Sequence, residues 1–390
     1  MATTEPQTST QVDDRLAVDT IRTLAMDAVQ KANSGHPGMP MGMAPVAYVL
    51  FREVMKHNPR DPHWQDRDRF VLSAGHGSML LYAALHLSGY DVTLDDLKAF
   101  RQWESRTPGH PEVHHTPGVE TTTGPLGQGF ANAVGMALAE RFLRERFGAE
   151  VMDHRIFGIC SDGDLMEGVS AEAASIAGHL GLGRLVFLYD DNHISIDGDT
   201  ALSFDTEDVE ARFRAYGWHT QHVDDANDLD ALRTTIANAV AEDDRPSLIR
   251  VRSTIAYGSP NKAGTAGAHG AALGEDEVRA TKEAFGWDPD KHFYVPDGVY
   301  ERFGTIERGA VEQREWEHRF RAWQDANPAL AKAWDAAWAG RPLPGLAAGL
   351  PTYEVGKQLA TRAAGGEILQ AIAPYLPTMV GGSADLNESV

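Results

Sequence analysis

The residues with the greatest chemical potential lie in two stretches, GICSDGDLMEG at 158–168 and YDDNHISIDG at 189–198. In each, an apolar run of strand character breaks into acids. Asp162 and Asn192 close those runs and pair a carboxylate with an amide oxygen. A hard cation such as Mg2+ takes oxygen ligands, commonly one or two carboxylates completed by phosphate oxygens. Asp162, Asn192 and a nearby backbone carbonyl would leave coordination positions for a diphosphate. Gly163 and Gly168 would let it approach the backbone, and the helix that follows offers its positive end. The simpler reading of Asp162 alone is an acidic surface turn that caps a helix. An EF-hand is excluded, because Met166 and Glu167 stand where that loop needs an oxygen ligand and a glycine.

Sixteen histidines are present. His36 follows a helix end, His76 follows a strand end, His110 lies in a Gly-Pro turn and His269 in a glycine-rich loop. Imidazole at such places can donate or accept a proton near neutral pH. His57, His63, His86, His179, His219, His222, His292 and His318 sit in no such setting and read as structural or solvated. His110, His114 and His115 have a spacing that suits zinc on a helix, but Pro108, Pro111 and Pro117 oppose a regular helix there. GPLGQGFANAVG at 124–135 follows a threonine-rich loop rather than an apolar strand, which disfavours a dinucleotide loop; tight helix packing is the alternative. Cys160, the only cysteine, lies within an apolar run and reads as a buried thiol, and it allows no intrachain disulfide.

These residues need a scaffold. Apolar spacing over 14–33 predicts a helix stopped at Gly35. RFVLSAGHGSMLLYAALHLSG predicts a strand over 70–73, a glycine turn and a helix over 78–87. HRIFGICSDGD, RLVFLYDDNHISIDG and SLIRVRSTIA supply further strands, the last ending near Ala256. Strands alternating with helices give the expected fold class: α/β, a mostly parallel sheet with helices on both faces, its ligand outside the strands' carboxyl ends where the strand order reverses. Residues 271–340 read as helical, with a solvated charged face at 311–325. RPLPGLAAGLP at 341–351 reads as a linker, and the remainder as a helix followed by a strand in PTMVGGSADL.

Composition narrows the function. With 42% hydrophobic and 23% charged residues the chain is an ordinary globular one, and its net charge of −21 opposes nucleic acid as a partner. The apolar stretch 37–51 carries Pro40 and Pro45 and is too short for a bilayer span, so no membrane partner is expected. The polar start MATTEPQTSTQVDD lacks a signal-peptide core, and a cytoplasmic location is expected.

Six stretches then occur in one order: SGHPGMPMG, SAGHGS, TPGHPE, TTGPLGQG, SDGDLMEG with YDDNHISIDG, and GSPNKAGT with AHGAALG. Together they resemble the amino-terminal part of transketolase. The resemblance implies a thiamine diphosphate-binding fold with Mg2+ as the cation, Ca2+ or Mn2+ substituting, and a metal set of Asp162, Asn192 and Ile194. It assigns His76, Gly124, Leu126, Asp162, Gly163, Asn192 and His269 to the cofactor, and His36, His110 and His269 to catalysis and to the sugar. Arg362 and Ser389 match positions that hold the sugar phosphate, and Asp385 an acid facing a neighbouring subunit's site. Ser161 stands where many members have glycine, and Glu167 is expected near a subunit interface.

The implied reaction moves a two-carbon ketol unit from a ketose phosphate to an aldose phosphate, in a homodimer when complete. The implied organisation is a diphosphate-binding domain with a helical extension over 1–340, the 341–351 linker, and a truncated pyrimidine domain over 352–390. Because the family pattern breaks off after SADL, a chain inactive without its carboxyl-terminal part, or one that pairs with a separate carboxyl-terminal chain, is expected. A non-catalytic module that binds Mg2+ and thiamine diphosphate is the alternative, with a nicotinamide oxidoreductase a distant third.

Overall fold

The structure is a computed structural model that describes residues 13–383 and 385. Five parallel strands form its sheet: β1 (Arg69–Leu72), β2 (Ile156–Ser161), β3 (Leu185–Asp191), β6 (His219–Val223) and β7 (Ser247–Arg252), in the order β1-β2-β3-β7-β6. A two-stranded ribbon, β4 (Ile194–Ser195) with β5 (Gly198–Asp199), follows β3. Side chains alternate between two buried faces, as period-two geometry requires. Phe70, Leu72, Phe157, Ile159, Val186 and Leu188 pack with α1 (Asp14–Ala32), α2 (Gly38–Tyr48) and α3 (Ser78–Ser88). Val71, Ile156, Cys160, Leu185 and Phe187 pack with Phe130, Ala133 and Ala174 on the other face.

Helix α1 begins where Leu16 N donates to the Asp13 side chain at 2.8 Å. It ends at Asn33, whose φ of 48° is left-handed, two residues before the expected stop at Gly35. Asparagine tolerates this conformation because its short side chain bonds locally. Helix α2 is absent from the sequence expectation, since prolines punctuate it. Pro40 falls in the first turn, where no intrahelical donor is needed, and Pro45 costs one bond within a helix buried along its whole length. The short α4 (Leu94–Lys98) carries a Thr93–Asp96 capping box, and α5 (Gln128–Phe147) follows the GPLGQG turn. The chain after β2 is split into α6 (Asp162–Met166) and α7 (Gly168–Leu180), so no single long helix starts at Asp162.

Edge strand β6 is likewise absent from the sequence expectation, although it carries both His219 and His222. The β7 strand stops at Arg252, earlier than the expected Ala256.

The described chain divides into two compact units, one up to Arg141 and over Asp153–Glu315, the other over Phe142–Met152 and from Trp316 onward. In the second, Phe147, Trp316, Phe320, Trp323 and Trp334 form an aromatic cluster, and Trp316 Nε1 donates to Val151 O at 3.0 Å. The helix Ile306–Ala326 is therefore not wholly a solvated face: Trp316 and Trp323 are buried, because indoles at i and i+7 share one side of a helix. A helix spans Thr361–Ile372 as expected. No strand occurs among the described residues of PTMVGGSADL; Pro377, Gly381 and Gly382 weaken a strand that has no partner ladder. Ser389 lies outside the described residues. No described helix is long and apolar enough to cross a membrane.

Candidate functional site

A cavity of about 380 Å3 lies at the carboxyl ends of β1, β2 and β3. His36, His76, His110, His269, Gly124, Leu126, Asp162, Gly163, Asn192 and Ile194 all line it, brought together from seven separate turns of the chain. The expected place, where the strand order reverses, was wrong: the reversal is at β6 to β7, whereas β1, β2 and β3 follow in simple succession. His76, Asp162 and Asn192 follow those three strands in turn, while His36, His110 and His269 reach the same cavity from loops after α1, after α4 and after β7. Gly168 is not among the lining residues, since it opens α7 beyond the intervening α6. A neighbouring cavity that shares Asp162 is lined by Asp191, Asp199, Asp205, Glu207, Asp208 and Glu210, and so many carboxylates would repel an anion.

The metal candidates are closely constrained. Asp162 accepts from the Tyr189 hydroxyl on one oxygen and from His193 N on the other, at 3.2 Å. Asn192 Nδ2 donates to Asp190 at 2.8 Å, and Ile194 N donates to Asn192 Oδ1 at 2.8 Å, so the amide is held in one orientation. His193 takes a left-handed φ of 62°, the bend that carries the chain from β3 into the ribbon. A carboxylate has about four lone-pair sites, so Asp162 keeps acceptor capacity beyond these two bonds. Burial pushes Asp162 up to about 7; Tyr189 pulls it down, while Asp190 and Asp191 push it further up. Asp190, which also accepts from Ser253, is raised to about 6 by burial. Such crowded, proton-hungry carboxylates suit a cation that would neutralise them. Among the described residues no three His, Cys, Asp or Glu side chains form a metal-binding group; beside Asp162 the further oxygen donors lining the cavity are the Asn192 amide and backbone carbonyls.

The backbone is shaped for close approach. Gly124 has a φ of 153°, and a Cβ on it would stand 3.4 Å from His110; a Cβ on Gly163 would stand 2.9 Å from Leu126 Cδ1.

Sequence reasoning missed the residue that joins these parts. Asp164 is fully buried; its Oδ1 accepts from Ser73 Oγ at 2.7 Å and Gly127 N at 2.8 Å, and its Oδ2 from Ser161 N at 2.9 Å and Ser161 Oγ at 3.2 Å. One side chain thus ties β1, β2 and the GPLGQG turn. Ser73 Oγ in turn accepts from Phe130 N at 2.8 Å, fixing the start of α5. Ser161, expected to matter little as the residue before Asp162, is half of this cap.

Four imidazoles crowd the cavity. Ring centroids are 5.1 Å apart for His36 and His76, 5.6 Å for His36 and His269, 6.4 Å for His36 and His110, and 5.1 Å for the stacked His76 and His269. Burial is the largest cause that lowers all four; His36 falls to about 4, helped by His269, Arg101 and His110. They are neutral at pH 7, able to donate from one nitrogen and accept at the other. Nδ1 of His36 and Nδ1 of His269 are buried without a partner, as expected of groups that await a ligand.

Elsewhere, His57 is buried against Tyr90 and Cys160 is a buried free thiol, raised by burial and nearby carboxylates. Arg362 is exposed in the first turn of the Thr361–Ile372 helix, within the second unit, and Asp385 is exposed.

This parallel α/β scaffold, with an acid, an amide and neutral imidazoles at its strand ends, matches the family model described as transketolase, thiamine diphosphate binding domain, over residues 13–344. The chain is 56% identical over 381 residues to a transketolase of Geobacillus stearothermophilus, covering 96% of this chain and 57% of that protein. The solved transketolase of Leishmania mexicana superposes with a TM-score of 0.94 at 47% identity, covering 97% of this chain and 57% of that one. A Pichia stipitis transketolase solved in complex with sedoheptulose 7-phosphate gives 0.92 at 44%, covering 96% and 56%. The chain belongs to the transketolase family. It spans a little over half the length of the relatives it matches.

Proposed function

We propose that this chain forms the diphosphate-binding part of an enzyme that transfers a two-carbon ketol group from a ketose phosphate to an aldose phosphate. The observation that supports this most is the single cavity in which Asp162, Asn192 and Ile194 meet four neutral histidines. Asp162, Asn192 and the Ile194 carbonyl would hold Mg2+, with Gly163 and His76 against the diphosphate and Gly124 and Leu126 against the ring. Thiamine diphosphate, when bound, supplies the nucleophilic carbon that opens and remakes the bond beside the sugar carbonyl. His36, His110 and His269 hold sugar hydroxyls, and a neutral imidazole among them takes the hydroxyl proton when that bond breaks. Arg362, and Ser389 beyond the described residues, bind the phosphate of the sugar.

We infer further that the remaining length of the relatives supplies the rest of the site, so that residues 1–390 do not turn over alone, and that the complete protein is a homodimer. The domain limits proposed are 1–340 for diphosphate binding, 341–351 for a linker and 352–390 for the start of a pyrimidine domain. The experiment is titration calorimetry of thiamine diphosphate into this chain with and without Mg2+, alongside ketol transfer by the chain extended to its relatives' length. Equal affinity without Mg2+ would remove the metal role. Metal-dependent binding with no transfer by the extended protein would favour a binding module instead.

A further inference from the structure

Arg101 belongs to none of the six family stretches, yet it stands between two of them. Its backbone is left-handed, with φ 60°, a conformation that an arginine takes only when its surroundings impose it. Its N–H donates to Thr107 O at 3.0 Å, closing a turn onto the TPGHPE loop. Nη1 donates to Ser34 Oγ at 2.6 Å, in the loop that carries His36. A Cβ placed on Gly109 would stand 2.8 Å from Arg101 Nε and 3.2 Å from its Cζ, so the guanidinium lies directly on the backbone beside His110. The preceding Phe100 braces the same seam: a Cβ on Gly35 would stand 2.9 Å from its ring.

Among the described residues no carboxylate is among the groups acting on this guanidinium, and its Nε is buried with no acceptor. The guanidinium is only partly buried, and no ion pair among those residues accounts for its being held against these two loops. We propose that Arg101 is a positioning residue of the histidine cavity: its guanidinium clamps the loop that bears His36 to the loop that bears His110 and sets a fixed positive charge beside both imidazoles. The proposal rests on the reading that these two histidines hold substrate. The lowered proton affinity of both rings agrees with it, since Arg101 is among the causes for each. The other groups facing them are His76 and His269 around His36, the Tyr82 phenol beside Arg101, and Asp162 across the cavity.

The test uses Arg101→Gln, which removes the charge, and Arg101→Lys, which keeps the charge and loses the fork. In the 390-residue chain, nitrogen-15 imidazole titrations followed by NMR should show His36 and His110 both titrating higher in R101Q, by about half a pH unit or more, and close to wild type in R101K. In the enzyme extended to its relatives' length, both variants should lose roughly tenfold or more in kcat/KM for the ketose, mostly through KM, with melting temperatures near wild type. Unchanged titrations in R101Q overturn the proposal, as does unchanged kcat/KM, or a fall in melting temperature of more than about 5 °C that accounts for the loss. If the wild-type extended enzyme transfers no ketol group, the functional reading fails, while the titrations still decide whether Arg101 governs the two rings.

Discussion

At the scale of single residues, burial without charge recurs throughout the first unit. His57 Nδ1 lies 3.0 Å from the Tyr90 hydroxyl and its Nε2 2.9 Å from Phe51 O, and burial lowers it to about 4. Its ordinary value is near 6.5, so below that pH the unfolded chain binds the proton first and stability falls as the solution is acidified from about 6.5 to about 4. The full loss is about 3 kcal/mol. Urea denaturation at pH 7 and pH 4.5 should show it, and the pH slope should flatten in His57→Gln. Asp162 makes a different prediction. Because burial raises it to about 7, a cation must displace a proton there in acid, so Mg2+-dependent cofactor affinity should fall as the pH drops below about 7. Asp162→Ala should weaken that affinity by roughly 100-fold or more at pH 7.5, measured calorimetrically. An unchanged affinity would place the cation elsewhere.

At the scale of elements, Asp164 holds together the ends of two strands and the turn before α5. Its carboxylate gathers backbone donors from two turns, and Asp164→Ala strands buried N–H groups at Gly127 and Ser161, costing roughly 3 kcal/mol. Hydrogen exchange in the variant should rise in the 123–130 turn first. An unchanged exchange rate there would assign that turn's order to packing alone. Only its spacing from Ser161, that of a capping box, was legible in the sequence; its tie to β1 and the 123–130 turn was not, because its partners Ser73 and Gly127 stand 91 and 37 residues away. Asp162, Asn192 and the four histidines were legible for the opposite reason: each follows an apolar run or sits among glycines. The three central strands were equally plain as continuous apolar runs. Strand β6 was not, since HTQHV has one apolar residue and lies at the sheet edge, and α2 was hidden by its prolines although the core holds it.

At the scale of the whole molecule, two neighbouring helices of the first unit expose large apolar side chains. Val169, Ile176 and Leu180 lie along α7 at helical spacing, with Met166 before them and Leu138 on α5, and Ile176 is 52% exposed. Arg141 Nη1 donates to Leu180 O, holding the two helices side by side. Contiguous apolar exposure of this kind marks an interaction surface. It supports the proposed homodimer, and Ile176→Glu should convert the extended protein from dimer to monomer in sedimentation equilibrium at micromolar concentration. A variant that sediments as wild type would put the dimer contact on another face.

The aromatic cluster of the second unit has an optical consequence. Four of the eight tryptophans, Trp316, Trp323, Trp334 and Trp338, belong to that unit, and the rings of Trp334 and Trp338 are stacked 4.1 Å apart and 3° from parallel. Indoles so aligned couple their transitions, so this pair should give the near-ultraviolet dichroism a band that reports on the second unit, while the cavity beside Asp162 has no indole among its lining residues. A melting curve followed by tryptophan fluorescence therefore carries no signal from the cavity lining itself, and a tryptophan placed at Ile196 would give that cavity a signal of its own.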